Sequence, residues 1–126
     1  MKIIRSFKYA IQGFLHCVRR ERNFRFHLLA IVALAILAVV FELESYEIFA
    51  LIFATAFVLV TEMINTAIER TVDAIRECSR ENDTVKIDGL RKIAKDVAAG
   101  AVFVSAIFAA IVGVVVFLPR ILEVLS

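Results

Sequence analysis

Four side chains that could do chemistry recur at helical spacing in the middle of the chain. They are Glu62, Asn65, Glu69 and Asp73. At 100° per residue all four fall on one narrow stripe of a helix, with Glu62 about 10 Å deeper along the axis than Glu69. An apolar run precedes Glu62, so the stripe starts inside a membrane, where a charge costs roughly 2.5–3.5 kcal/mol even on the most permissive scale. This cost favours a functional site. The alternative is a polar network between helices that contains a protonated Glu62.

Carboxylates this close together repel one another, and the usual remedies are a bound divalent cation, a nearby Lys or Arg, or protonation. Lys95 and Asp96 precede the third apolar run and could supply a cation and a further acid. Glu21 lies among arginines in front of the first apolar run. We expect these groups to meet at one level of the membrane. Two alternatives stay open: Glu21 could pair with a neighbouring arginine, and Asp73 could be exposed at the membrane edge.

Several familiar phosphate and metal motifs are absent from the sequence. It contains no G-x-x-x-x-G-K-[ST] loop, no G-x-G-x-x-G, no C-x-x-C and no H-E-x-x-H. Any nucleotide chemistry must therefore hold phosphate in another way.

The elements that position these side chains follow from hydropathy. The 126 residues are 61% hydrophobic, with a mean hydropathy of +0.85, which is too apolar for a soluble domain of this size. The pattern predicts an all-α membrane protein, a helical bundle in a single domain over residues 1–126. An amphipathic surface helix is expected over residues 1–20, since its apolar residues recur at steps of three, four and seven. Three membrane helices are expected at about residues 24–41, 48–75 and 90–118. We expect the third to end at Pro119, and Asp88-Gly89 to mark a turn before it.

The basic residues predict the orientation. Lys and Arg are concentrated before the first apolar run and between the second and third, whereas the turn at residues 42–47 (ELESYE) is acidic. By the positive-inside rule the N-terminus and the carboxylates face the cytoplasm, and the C-terminus lies outside. The expected location is a cell membrane, with these carboxylates on its cytoplasmic side.

Three motifs resemble those of the small integral-membrane lipid kinases of bacteria, the family of prokaryotic diacylglycerol kinase and undecaprenol kinase. The most specific is E-x-x-N-[ST]-A-I-E-x-x-x-D, at residues 62–73. The second is A-K-D at residues 94–96, which runs on into VAAGAV. The third is N-terminal: Tyr9, Gly13 and the stretch at residues 21–27 match the family's spacing. The resemblance covers nearly the whole chain.

The resemblance implies transfer of the γ-phosphate of ATP to a lipid hydroxyl with Mg²⁺, in a homotrimer whose neighbouring subunits share each site. It implies no nucleic-acid partner. By resemblance Glu62 is the general base, Glu21 and Glu69 hold the metal and the nucleotide, and Asn65 orients the site. The remaining residues expected to bind the nucleotide are Lys2, Tyr9, Asp73, Lys95 and Asp96.

One departure from the family pattern concerns the loop before A-K-D. It reads RECSRENDTVKIDGLRKI, which is longer than usual and lacks the E-Y-H often found there.

The most favoured substrate is undecaprenol, and the alternative is diacylglycerol. A proton-coupled exporter would also use an intramembrane Glu, but here the acidic stripe continues to the cytoplasmic surface and meets Lys95 and Asp96.

Overall fold

A computed structural model describes the backbone of residues 2–78 and 85–126 and the side chains of residues 5–77 and 87–126. In this part of the chain all regular structure is helical, which confirms the all-α prediction. The helices are, in chain order, α1 (Lys2–Arg20), α2 (Arg22–Val40), α3 (Ser45–Cys78) and α4 (Val85–Leu125).

The N-terminal helix α1 is amphipathic, and one of its contacts with α2 is between aromatic rings. Phe24 of α2 is completely buried, and the ring of Phe14 meets it edge-on with centroids 5.4 Å apart. Phe7 and Ile11 of the same apolar face stay exposed. An apolar face that the chain itself does not cover suits a helix lying in the membrane surface, as the sequence predicts.

The other three helices are each long and apolar enough to cross a bilayer. The candidate spans are Arg22–Val40, Ser45–Glu77 and Ile87–Leu125. Most of their large apolar side chains are exposed, because in a membrane lipid covers them. α3 and α4 run antiparallel and pack along each other, and α2 packs against α3.

A tight turn joins α2 to α3. Glu42 adopts a left-handed conformation with φ 48°, and the Leu43 N–H reaches back to the Ala38 carbonyl at 3.0 Å. This is the Schellman arrangement, in which glycine is the usual left-handed residue. The N–H of Glu44 then donates to the Glu47 carboxylate at 2.8 Å, which caps the start of α3.

A small apolar cluster closes the molecule beside this turn. It consists of Leu43, Leu51, Val116 and Phe117, with Phe41 packed against it. Arg120 of α4 donates to Glu47 of α3 at 2.9 Å alongside the cluster. The turn, the cluster and the ion pair together fix the register between α3 and α4.

Two predicted boundaries are wrong. α4 does not end at Pro119 but continues to Leu125. Proline deprives only the carbonyl four residues earlier of its helical partner, and membrane helices tolerate this; the Arg120–Glu47 pair also holds this segment against α3. Gly89 does not mark a turn either, because it lies in the first turns of α4. There Asp88 is favoured by the helix dipole and pairs with Arg91.

Candidate active site

Glu21 occupies the corner between α1 and α2, where the backbone leaves helical geometry (φ −99°, ψ 117°). Its side chain does not cap α2 and is free to reach another helix. Arg70 of α3 donates to the Glu21 carboxylate at 3.0 Å. The alternative that Glu21 pairs with a neighbouring arginine does not hold, because its partner Arg70 lies 49 residues away. The corner thus carries the Glu21 carboxylate to the stripe on α3.

Glu62 is buried deep in the helix packing, with 3% of its surface exposed. The carboxylates of Glu21 and Glu69 are close enough for their charges to act on it. Neither Glu62 nor Glu69 forms an ion pair with a described Lys, Arg or His. The structure therefore brings together three of the predicted carboxylates, of which Glu21 alone has a basic partner in the described part of the chain.

Asn65 connects the deep and shallow parts of the stripe. Its Nδ2 donates to Glu69 Oε1 at 3.2 Å, one helical turn away. The side chain is 9% exposed, and its Oδ1 has no hydrogen-bond partner among the described residues. A buried acceptor without a donor is unusual in native proteins. Asn65 is thus oriented by Glu69 and presents an acceptor that suits a ligand's O–H or N–H.

Asp73 lies one turn beyond Glu69 and meets the start of α4. Lys95 donates to its carboxylate at 2.6 Å, as expected for a lysine supplying a cation to the stripe. Asp73, Lys95 and Asp96 line one polar cleft of about 310 Å³ between the two helices. Its other walls are Val72, Arg76, Asp88, Arg91 and Lys92. The cationic side chains around such a cleft can bind a phosphate group, and the carboxylates can bind its counter-ion.

The donor set fits Mg²⁺ only in part. The described residues contain no group of three His, Cys, Asp or Glu side chains that could hold a metal. Mg²⁺ in phosphate-transfer sites, however, commonly takes one or two carboxylates and completes its shell with phosphate oxygens and water. Glu69 has no counter-cation among the described residues, and Glu21 contacts Arg70, the next residue along α3, so these two carboxylates suit that arrangement.

One predicted residue, Tyr9, is not brought to the cluster. Tyr9 lies on α1, about 18 Å from Glu21 along the helix at 1.5 Å per residue, and its side chain is 67% exposed. The side chain of Lys2 is outside the described residues. A single chain thus leaves Tyr9 at a distance from the carboxylates.

The structure also reveals buried polar neighbours that the motifs do not indicate. Cys17 of α1 is 4% exposed and bonds to Thr66 of α3, near Glu21 and Glu62. Burial raises the pKa of the Cys17 thiol, and the two carboxylates act in the same direction, although the Thr66 hydrogen bond opposes them. On the other side of α3, Thr61 lies 2.8 Å from Ser105 of α4. Both pairs consist of residues far apart in sequence, so no local spacing could reveal them.

Comparison with known proteins gives a consistent result. Residues 8–117 match the family model described as prokaryotic diacylglycerol kinase. The undecaprenol kinase of Bacillus subtilis is 39% identical over 119 residues, which cover 94% of this chain and 90% of that protein. A diacylglycerol kinase of Synechocystis is 38% identical, covering 95% of this chain and 65% of that protein. One from Pseudomonas aeruginosa is 31% identical, covering 82% and 78%.

Proposed function

This chain belongs to the prokaryotic diacylglycerol kinase family, and we propose that it transfers the γ-phosphate of ATP to the hydroxyl of undecaprenol. It is an integral membrane lipid kinase that uses ATP, so the alternative of a proton-coupled exporter falls away. The observation that carries the proposal is the buried Glu62 at the deep end of a carboxylate row that continues to the polar cleft.

Glu62 serves as the general base. The lipid oxygen attacks the γ-phosphorus as the bond from that phosphorus to the β–γ bridging oxygen breaks, and ADP leaves. Glu62 accepts the hydroxyl proton. Burial supports this role, since a base between the helices at the deep end of the row can meet a hydroxyl that approaches from the membrane. Asn65 supports it too, because its free Oδ1 lies one turn away and can orient a donor.

Glu21 and Glu69 hold Mg²⁺, and the cleft residues hold the nucleotide. When bound, the ion neutralises charge on the transferring phosphate. Lys95 and Asp96 contact ATP together with Asp73 at the outer end of the stripe, and the Asn65–Glu69 hydrogen bond fixes the Glu69 carboxylate. Phosphoryl transfer needs positioning and charge neutralisation more than covalent chemistry, so these groups suffice.

The choice of undecaprenol rests on the surroundings of Glu62 and on a relative. Diacylglycerol carries two ester carbonyls and requires donors near the reacting hydroxyl, whereas a polyprenol requires an apolar groove. Cys17, which lies near Glu62, is buried, and the sequence neighbours of Glu62 on α3 include Leu59, Val60, Met63 and Ile64. The relative with the same activity in its name is 39% identical across nearly its whole length.

The test is a substrate comparison in mixed micelles with ATP and Mg²⁺. We expect a higher kcat/KM for undecaprenol than for diacylglycerol at matched surface concentration. A clear preference for diacylglycerol would overturn the substrate assignment and leave the lipid-kinase assignment intact.

The orientation and the assembly are part of the same proposal. The basic segments favour a cytoplasmic N-terminus and carboxylate site, with the C-terminus outside. A reporter fused after Ser126 should be active outside the cell, and one inserted near Asn82 inside; the opposite pattern would put the site on the wrong side for ATP.

A homotrimer with shared sites would explain how residues remote from the cluster take part. Tyr9 is exposed on its own chain and, in a trimer, contributes to a neighbour's nucleotide site together with Lys2. Mixing subunits that carry Tyr9→Ala with subunits that carry Glu69→Gln should restore part of the activity. If no mixture exceeds the activity of the separate variants, each site belongs to one chain.

A further inference from the structure

A pair of hydroxyls connects α3 and α4 inside the apolar part of the protein. Ser105 is the one polar residue in the run from Val97 to Leu118, and it is 2% exposed. Its Oγ lies 2.8 Å from Thr61 Oγ1, and Thr61 directly precedes Glu62. Lipid offers no hydrogen bonds, so a hydroxyl at this depth must find a protein partner. The two hydroxyls meet this need for each other.

The available protons allow two arrangements of this pair. Ser105 Oγ lies 2.8 Å from the Val102 carbonyl, and Thr61 Oγ1 lies 2.9 Å from the Val58 carbonyl. Either Thr61 donates to Ser105, which donates to Val102, or Ser105 donates to Thr61, which donates to its own helix. In both arrangements each hydroxyl proton is used, and the chain of bonds runs from one helix to the other. The pair therefore limits the rotation of α3 about its own axis.

This rotation determines where Glu62 points. Successive residues of a helix are about 100° apart, so holding Thr61 against α4 turns Glu62 away from α4. On that side lie Cys17 and Glu21. The charge of Glu21 acts on Glu62, and the charges of both carboxylates act on Cys17. The carboxylate is thereby kept buried beside the rest of the cluster.

Among the ties between α3 and α4 that the described residues show, the hydroxyl pair is the one nearest to Glu62. α3 and α4 are also joined by Asp73–Lys95 and by Glu47–Arg120. Thr61 is 12 residues from Asp73 and 14 from Glu47, which is about 18 and 21 Å along the helix. Both distant ties use long, flexible side chains, which constrain the local rotation at Glu62 less than two short hydroxyls do.

We propose that Thr61 and Ser105 are positioning residues, whose hydrogen bond sets the rotation of α3 that aims the Glu62 carboxylate at the lipid hydroxyl. The inference rests on the role of Glu62 in the proposed function. It predicts that loss of either hydroxyl lowers the rate of transfer without weakening nucleotide binding, because the Lys95 cleft and Glu69 lie further along the helix.

The test compares Thr61→Val, Ser105→Ala and the double variant with a matched control, Thr55→Val. Thr55 lies on the same helix and bonds in the same way to its own backbone, at 2.7 Å to the Leu51 carbonyl. It has no hydroxyl partner on another helix in the described part of the chain. The strength of interhelical hydrogen bonds in membranes varies over a modest range. For the loss of this bond we therefore expect each single variant to lower kcat by about three- to tenfold. The KM for ATP should not change, and Thr55→Val should keep the wild-type kcat.

The double variant should be no worse than either single variant, because the same bond is lost once. Thr61→Ser keeps the hydroxyl and should retain most of the rate. Equal losses in Thr55→Val and Thr61→Val, additive losses in the double variant, or a loss confined to the KM for ATP would each overturn the proposal.

A second readout does not depend on the lipid substrate. An apolar carbodiimide labels carboxyl groups in membranes, and mass spectrometry measures its rate at Glu62. Thr61→Val and Ser105→Ala should raise this rate as Glu62 leaves its buried position, whereas Thr55→Val should not. An unchanged labelling rate in the double variant would overturn the positioning role, whatever the lipid substrate. Failure to phosphorylate either undecaprenol or diacylglycerol would instead contradict the proposed function.

Discussion

The two ends of the α3–α4 pair are each joined by an ion pair, yet they are built differently. At the turn end, residues 41–47 and 116–120, Glu47 and Arg120 pair beside an apolar cluster. At the carboxylate end, residues 62–73 and 91–96, the Asp73–Lys95 pair is more exposed and borders a polar cleft.

The difference lies in how completely the charges are paired. At the turn end Glu42 and Glu44 are exposed, whereas the largely buried Glu47 pairs with Arg120 and caps α3 beside an apolar cluster. At the carboxylate end Glu62 and Glu69 have no basic partner among the described residues, and Asn65 Oδ1 has no donor. Such an excess of acceptors is costly for a membrane protein. The comparison indicates that the turn end stabilises the fold and that the carboxylate end binds and reacts.

The largest effect should come from Glu62→Gln. This variant keeps the size of the side chain but removes the base, so kcat should fall by about 10²–10⁴-fold. Binding of an ATP analogue should be nearly unchanged, because a base used only in transfer contributes nothing to the ground state. Steady-state assays at saturating ATP and lipid give kcat. A near-normal kcat would reduce Glu62 to a structural residue and remove the difference between the two ends.

A smaller effect on binding should come from Glu69→Gln. The variant keeps a partner for Asn65 but removes a charge that holds the metal. Mutating even a residue that only hydrogen-bonds to a metal ligand typically costs roughly 10–100-fold in metal affinity. Removing the ligand charge of Glu69 should lower the Mg²⁺ affinity by at least that factor. Titration of activity with Mg²⁺ at fixed ATP measures it. An unchanged Mg²⁺ requirement would exclude Glu69 as a metal-holding residue.

At the turn end, Arg120→Met should lower thermal stability and leave kcat/KM unchanged. The substitution leaves the largely buried Glu47 carboxylate without its partner, which costs more than the pair itself contributes. Adding Glu47→Gln should recover part of the stability, since the uncompensated charge is gone. Thermal unfolding in detergent provides the measurement. A loss of activity without a loss of stability would show that the turn end also takes part in catalysis.

The smallest effect concerns Cys17. Because burial raises the pKa of its thiol, less thiolate is present at a given pH, and only the thiolate reacts quickly. In a Cys78→Ser background, a water-soluble maleimide should label native protein at pH 7 slowly and unfolded protein fast. Labelling should accelerate as the pH rises. Equal rates before and after unfolding would mean that α1 does not cover this side of the carboxylate end.

The sequence predicts the helices well because hydropathy and helical period are local properties. The stripe of Glu62, Asn65 and Glu69 follows from the period alone, and the Asn65–Glu69 hydrogen bond is a consequence of four-residue spacing. The end of α4 could not be predicted in this way. Pro119 normally favours a helix end, and the contact of its neighbour Arg120 with Glu47, 73 residues away, is visible only in the folded chain.

The contacts between helices depend on their register, which no local pattern records. Glu21 has three arginines as sequence neighbours, yet it pairs with Arg70, because the extended corner directs its side chain to α3. Thr61 and Ser105 are ordinary hydroxyls in apolar runs until α3 and α4 are placed side by side. The chemical groups of the site are therefore visible in the sequence, whereas the residues that hold them in place are not.

The division of labour within the carboxylate end can be tested most directly by binding the paramagnetic ion Mn²⁺ together with a non-hydrolysable ATP analogue. Electron paramagnetic resonance measures bound Mn²⁺ in the wild type, Glu62→Gln and Glu69→Gln, with Glu47→Gln as the control from the turn end. We predict wild-type binding in Glu62→Gln and Glu47→Gln and strongly weakened binding in Glu69→Gln. Equal loss of Mn²⁺ in Glu62→Gln and Glu69→Gln would contradict the separation of a deep base from a shallow metal–nucleotide site.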